Sequence, residues 1–316
     1  MTRKLCSLLI SSFAVLLLMG AGVEEDSAAL VDESGSEAVQ TAAAQVETEE
    51  QAEPASAVSG ESVLSQVEEV DPTLTVDGQP VSADVAKTYR GDTTYVALVP
   101  MSKSLDSTIQ SKWDAGTRTA TVHNDKLVLT AKVGQLYLTV NGRYFYTPEG
   151  IQIENGQVMV PLSALVKAFD GSLTWNGTTG VTSVTRGSGA AKFGEQYYNA
   201  DDLFWLSRVI YTESGNQPLE GKMAVGNVVM NRVKHPSFPG TIEGVLAQKN
   251  QFTTYWSGHI ARSTPNAESV IAAKLVLDGG VVEEVKNALY FDSAANSWAS
   301  RNRTCVAVIG GHRFYA

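Results

Sequence analysis

Glu213 closes an apolar helical face. Leu203, Leu206 and Ile210 stand at i, i+3 and i+7, and Glu213 follows Ile210 by three residues, on the same face. A carboxylate there is either paired with a cation or held partly dry with a raised pKa. The second state is what a general acid working near neutrality requires. Other chemistries find less to work with. The four histidines, His123, His235, His259 and His312, are scattered, and no His-x-x-x-His pair offers a metal site. Cys305 precedes His312 by only seven residues and lies among Val306, Val308 and Ile309. A buried structural thiol is expected there rather than a nucleophile. Ser257-Gly258 lacks the first glycine of a Gly-x-Ser-x-Gly elbow, because position 255 is Tyr255.

Two helices must position Glu213. The first ends near the carboxylate itself. A polar turn follows, and Pro218 is well placed as the first residue of the second helix. Ala224, Val225, Val228 and Val229 supply that helix with a buried face. Asn231 and Arg232 are expected to end it, with Arg232 capping or pairing.

The blocks around this pair carry a resemblance. Tyr211-Thr212-Glu213, Glu220-Gly221, Ala224-Val225, Asn231-Arg232, Phe238-Pro239, Gln251-Phe252 and the closing Gly310-Gly311-His312-Arg313-Phe314-Tyr315 occur in order, with Ala288-Leu289-Tyr290-Phe291 as a further block. Residues 200–316 thereby resemble the SleB-type cell wall hydrolases, the family of the spore cortex-lytic enzymes. The resemblance implies a mainly helical α+β, lysozyme- or lytic-transglycosylase-like domain that cuts peptidoglycan glycan strands, with Glu213 as the catalytic acid. Tyr211, Gln251, Phe252, Tyr290 and His312 are the expected substrate contacts, and no metal or cofactor is expected. Many members carry a second acid where this chain has Gln217.

Glycoside cleavage ordinarily uses two carboxylates. Glu220, Asp278, Asp292, Glu283 and Glu284 are the remaining candidates for a second. Glu220 falls in the first turn of the second helix, where the helix dipole accounts for a negative charge. Asp292, following Tyr290-Phe291, is the better candidate. A single acid also suffices if the muramoyl C6 hydroxyl is the nucleophile. Hydrolysis by the same residues, a non-catalytic peptidoglycan-binding protein, and a cross-link amidase or peptidase are the alternatives.

Residues 72–187 read as strands with short helices. Asn141-Gly142 between apolar runs signals a hairpin, and Val-Asp-Gly-Gln-Pro at residues 76–80 reads as a strand entering a turn. Tyr95-Val96-Ala97-Leu98, Leu105-Asp106, Ile109 and Trp113 reappear as Met159-Val160-Pro161-Leu162, Phe169-Asp170, Leu173 and Trp175. This internal repeat resembles the copper amine oxidase N-terminal-like domain, and implies a β-rich (α+β) two-repeat stalk that contacts the wall or another protein. No copper chemistry is carried over, since His123 is the only histidine of the segment. Trp113 and Trp175, at equivalent repeat positions, are expected to close the two halves of the core, with sugar stacking as the alternative.

The full chain has 316 residues and a net charge of −10, which is unevenly spread. Residues 24–71 hold 14 of the 34 acidic residues and no basic one, whereas residues 72–316 hold 20 acidic and 22 basic residues. The rest of the chain is therefore near neutral and offers no basic stripe for nucleic acid. Arg3 and Lys4 followed by the apolar run from Leu8 to Met19 read as an export signal over residues 1–22, not a retained membrane span. Residues 23–71 read as a disordered acidic linker, and residues 188–199 as a second, short linker. A secreted protein associated with the cell wall or spore is expected. With Cys6 removed alongside the signal, Cys305 would have no partner for a disulfide.

Overall fold

The computed structural model describes residues 70–249 and 251–316. The expected export signal, and all but the last two residues of the acidic linker, lie outside the described residues. The described residues fall within one compact unit.

Its N-terminal half is built of strands. β1 is Val70–Val76, β2 Gln79–Ser82, β3 Lys87–Arg90 and β4 Thr93–Ala97, followed by helix α1, Leu98–Leu105. A five-stranded antiparallel meander comes next: β5 Gln110–Asp114, β6 Thr119–His123, β7 Val128–Lys132, β8 Tyr137–Val140 and β9 Arg143–Tyr146. Then come β10 Gln152–Glu154, β11 Gln157–Pro161, helix α2 Leu162–Ala168, β12 Ser172–Asn176 and β13 Val181–Thr185. β12-β13-β1-β2 and β10-β11-β4-β3 form two further four-stranded sheets.

Turn chemistry explains the connections. Asn141 and Gly142 join β8 to β9 with φ values of +49° and +78°, the left-handed pair that a two-residue hairpin of this twist needs. Asn141 is fixed further by its side chain, which accepts from the Val128 N–H and donates to the Lys126 and Ala191 carbonyls.

The order strand, helix, strand, strand occurs at β4-α1-β5-β6 and again at β11-α2-β12-β13. β4 and β11 pair antiparallel with Val96 opposite Val160. Trp113 and Trp175 do not close the core. They are 45% and 69% exposed, because β5 and β12 are edge strands on which every residue faces solvent. Each tryptophan instead lines a groove. Trp113 faces the start of α1 and the β10–β11 turn at Gly156, and Trp175 faces the start of α2 and the β3–β4 turn at Gly91.

The C-terminal half is mainly helical. α3 is Gly194–Tyr197, α4 Ala200–Ser214, α5 Leu219–Lys234, α6 Ile242–Leu246, α7 Thr253–Trp256, α8 His259–Arg262 and α9 Ala267–Leu277. β14 Tyr290–Asp292, α10 Trp298–Asn302, β15 Cys305–Ile309 and β16 His312–Tyr315 complete it, with strand order β14-β16-β15. Asn199 caps α4 by accepting from the Asp201 and Asp202 N–H groups, and Asn266 caps α9 through the Ser269 N–H. Pro218 stands one position earlier than expected, as the residue before α5. α4, α5 and α9 pack around Leu206, Val209, Ile210, Met223, Val225, Val228, Val229, Ala272 and Leu275, all fully buried. Cys305 is exposed, contrary to the expected buried thiol. It begins the edge strand β15, whose burial pattern leaves most of the strand open.

The halves are joined by a buried ionic contact. Arg143 on β9 donates to Asp278 Oδ1 from Nε at 3.1 Å and from Nη2 at 2.5 Å. Tyr198 donates to Asp278 Oδ2, and Lys167 Nζ reaches the Asp278 backbone carbonyl. Alternation along β9 sends Phe145 into the core of the strand-rich half, while Tyr144 and Tyr146 pack on the helical one. Among the described residues no helix is long and apolar enough to cross a membrane.

Candidate active site

α4 carries Glu213 at its last turn, and its core-facing Leu206, Val209 and Ile210 hold the helix end against α5 and α9. The carboxyl is consequently partly buried and lines a cleft of about 580 Å³. Arg232 from α5, Gln251 and Phe252 from the loop before α7, the whole of β14, Trp298 of α10 and His312 of β16 line the same cleft. Burial pushes the Glu213 carboxyl above its ordinary range, and the Thr254 hydroxyl and the His259 charge oppose that shift without cancelling it. Thr254 Oγ1 donates to Glu213 Oε1 at 3.1 Å. No cation pairs with Glu213 among the described residues. Of the two states open to this residue, the site has the partly dry one.

The remaining carboxylates separate by position. Asp292 lies on the cleft wall, where Ser297 Oγ donates to Oδ2 and the Tyr315 hydroxyl to Oδ1. Glu220 lies away from the cleft and accepts from the Tyr146 hydroxyl at 2.8 Å. Asp278 is committed to Arg143 and Tyr198. Glu283 pairs with Lys286 on the surface. Gln217 is also outside the cleft lining. Its Oε1 accepts from the Gly311 N–H at 2.7 Å and so fastens the β15–β16 turn.

Gln251, Phe252, Tyr290 and His312 share the cleft with Glu213. Phe252 does so from within the core, at 3% exposure. His312 is buried, and its Nδ1 finds no partner among the described residues. Burial lowers its pKa, against the opposing charge of Asp292. Tyr211 is not part of the cleft lining; it is exposed, and its ring lies over Gly215. Arg232 neither caps α5 nor pairs with a carboxylate among the described residues, because the helix runs on to Lys234 and its Nε is spent on the Leu289 carbonyl. Thr254, His259 and Trp298 were not singled out by the sequence. Thr254 lies 41 positions from its partner, and no spacing rule links the two.

Residues 216–315 match the family described as Cell Wall Hydrolase. This part of the chain is a cell wall hydrolase domain. The match begins at Asn216, so Glu213 stands just ahead of it. Residues 75–184 match the Copper amine oxidase N-terminal domain. Its one histidine, His123, and the absence of any three-residue His, Cys, Asp or Glu cluster among the described residues do not fit a copper ion.

The hydrolase domain has curated relatives. A spore cortex-lytic enzyme of Bacillus cereus is 36% identical over 121 residues, 37% of this chain and 45% of that protein. One from Oceanobacillus iheyensis is 27% identical over 193 residues, 60% of this chain and 64% of the relative. The chain thus spans less than two thirds of either. A crystal structure of the catalytic domain of the Bacillus cereus SleB protein is 33% identical, over 38% of this chain and 92% of that one, with a TM-score of 0.34.

Proposed function

We propose that this chain is an exported enzyme that cuts peptidoglycan glycan strands, with Glu213 as general acid and then general base. The observation that carries the reading is a partly buried carboxyl, unpaired by any cation among the described residues, in the cleft of a cell wall hydrolase domain. The spore cortex-lytic enzymes among its relatives support the same substrate class.

In the proposed reaction protonated Glu213 gives its proton to the glycosidic oxygen between N-acetylmuramic acid and N-acetylglucosamine. The C1–O bond breaks and the glucosamine O4 leaves as a hydroxyl. The muramoyl C6 oxygen forms the new bond to C1, and its proton returns to the Glu213 carboxylate. The product carries a 1,6-anhydro end, and no water is consumed. A tethered nucleophile has the entropic advantage over water, and a lytic transglycosylase needs one acid only. Asp292 on the same cleft wall favours a second reading, hydrolysis, in which it would activate water. Mass spectrometry of the fragments separates the two. Anhydro ends support the first, and reducing ends heavier by one water, with oxygen from labelled water, the second.

The strand-rich half serves in this account as a two-repeat stalk. The exposed Trp113 and Trp175 grooves support contact with wall sugars, whose apolar ring faces stack on indole. Pelleting of the full chain with purified wall tests this. Retention that is unaffected by Trp113→Ala with Trp175→Ala would remove the role.

A further inference from the structure

Arg232 is a buried cation with no carboxylate partner among the described residues. It is 3% exposed. Two other cations are buried comparably, and each is paired: Arg143 with Asp278 and Lys222 with Glu268, both at 2.5 Å. Arg232 enters none of the ion pairs among the described residues. Its Nε donates to the Leu289 carbonyl at 2.7 Å, and its terminal nitrogens bond to no described residue. The rings of Phe238, Phe252 and Tyr290 surround the guanidinium carbon at 5.3, 5.5 and 5.4 Å. These aromatic faces attract the charge but leave the outer N–H groups unused.

Position gives those donors a use. Arg232 lines the same cleft as Glu213. A second guanidinium, that of the exposed Arg303, lies 5.3 Å from the ring of Tyr290, which itself lines the cleft. The acids nearby do not answer these charges. Asp292 accepts from Ser297 and Tyr315, and burial favours the neutral form of Glu213. Burial pulls the Arg232 pKa down to about 10, which still leaves it charged at neutral pH. A desolvated fork of donors on a cleft wall matches a planar carboxylate in shape and charge.

We propose that Arg232 is an anion subsite of the cleft and takes a carboxylate carried by the glycan strand. The proposal rests on the glycan-cleaving reading for the identity of the strand. On a muramic acid residue the carboxylate is either the free lactyl group or that of an attached peptide. Both present the same planar anion.

Calorimetric titration of the full chain tests this with three probes: a muramic acid disaccharide with a free lactyl carboxylate, its methyl ester, and the same sugar bearing a dipeptide acid. One or both acids should bind at least about tenfold more tightly than the ester, as a charge-assisted contact in a dry site does. Tighter binding of the lactyl acid assigns that source, and tighter binding of the peptide acid the other. Arg232→Gln should bring acid and ester together, and Arg232→Lys should retain part of the preference. Equal binding of acid and ester by the wild-type chain overturns the subsite, and that comparison needs no variant to fold. Failure of both acids to bind at millimolar concentration overturns it as well. Strand cleavage is read separately. Selective acid binding without cleavage keeps the subsite and removes the enzymatic reading, while cleavage indifferent to the carboxylate does the reverse.

Discussion

Thr254 Oγ1 lies 3.1 Å from Glu213 Oε1 and is the hydrogen-bond donor this carboxyl has among the described residues. The contact steadies the carboxyl and opposes, without cancelling, the upward pull of burial on its pKa. Thr254→Val removes the donor at nearly constant volume. The Glu213 pKa should rise further, and the alkaline limb of the pH–rate profile should move to higher pH, with kcat lowered several-fold. A pH profile of fragment release on wild type and variant reads both effects.

Glu213 should also be a site where function opposes stability. Its folded pKa is raised above the ordinary value of about 4.3. The folded chain therefore binds more protons than the unfolded one between the two values, and stability falls as pH rises through the folded pKa. Below the unfolded value the penalty is absent. Glu213→Gln should raise the melting temperature at pH 7 and leave it nearly unchanged near pH 4. A calorimetric pH series checks this, and an equal shift at both pH values would separate the effect from ionisation.

The Arg143–Asp278 pair ties β9 to the end of α9. Arg143→Ala leaves a buried carboxylate with Tyr198 and Lys167 as its remaining partners and should cost about 3 kcal/mol in urea unfolding. The Glu213 cleft draws no described residue from before α4. A chain beginning at Lys192 should therefore keep its cutting activity on soluble glycan fragments while losing stability. Loss of activity in a folded truncation would show that the strand-rich half belongs to the site.

Much of this arrangement was legible in the sequence where a local rule applied. The 3.6-residue period put Glu213 on the buried face of α4, and Asn141-Gly142 marked the β8–β9 hairpin. Side-chain burial was read less well at sheet edges. Trp113 and Trp175 are expected inside from their equivalent repeat positions and Cys305 from its apolar neighbours, yet all three stand on edge strands. An apolar pattern does not record whether another layer covers the strand. The Thr254 contact and the unpaired state of Arg232 were equally hidden, since both depend on which distant segments meet.

That exposure makes a further prediction. Trp113→Ala and Trp175→Ala should each lower stability by less than about 1 kcal/mol, well below the loss from removing a core tryptophan. Wall retention should fall several-fold while cleavage of short soluble fragments is unchanged. Urea unfolding and a pelleting assay on the same samples separate a binding role from a packing one.

In the proposed reaction Glu213 delivers the proton that breaks the glycan strand. Mass spectrometry of fragments released from purified peptidoglycan by equal amounts of folded wild-type and Glu213→Gln chain tests it most directly. The wild type should release anhydromuramoyl fragments, and release should slow by about a hundredfold or more in the variant. Release by Glu213→Gln at the wild-type rate would contradict it.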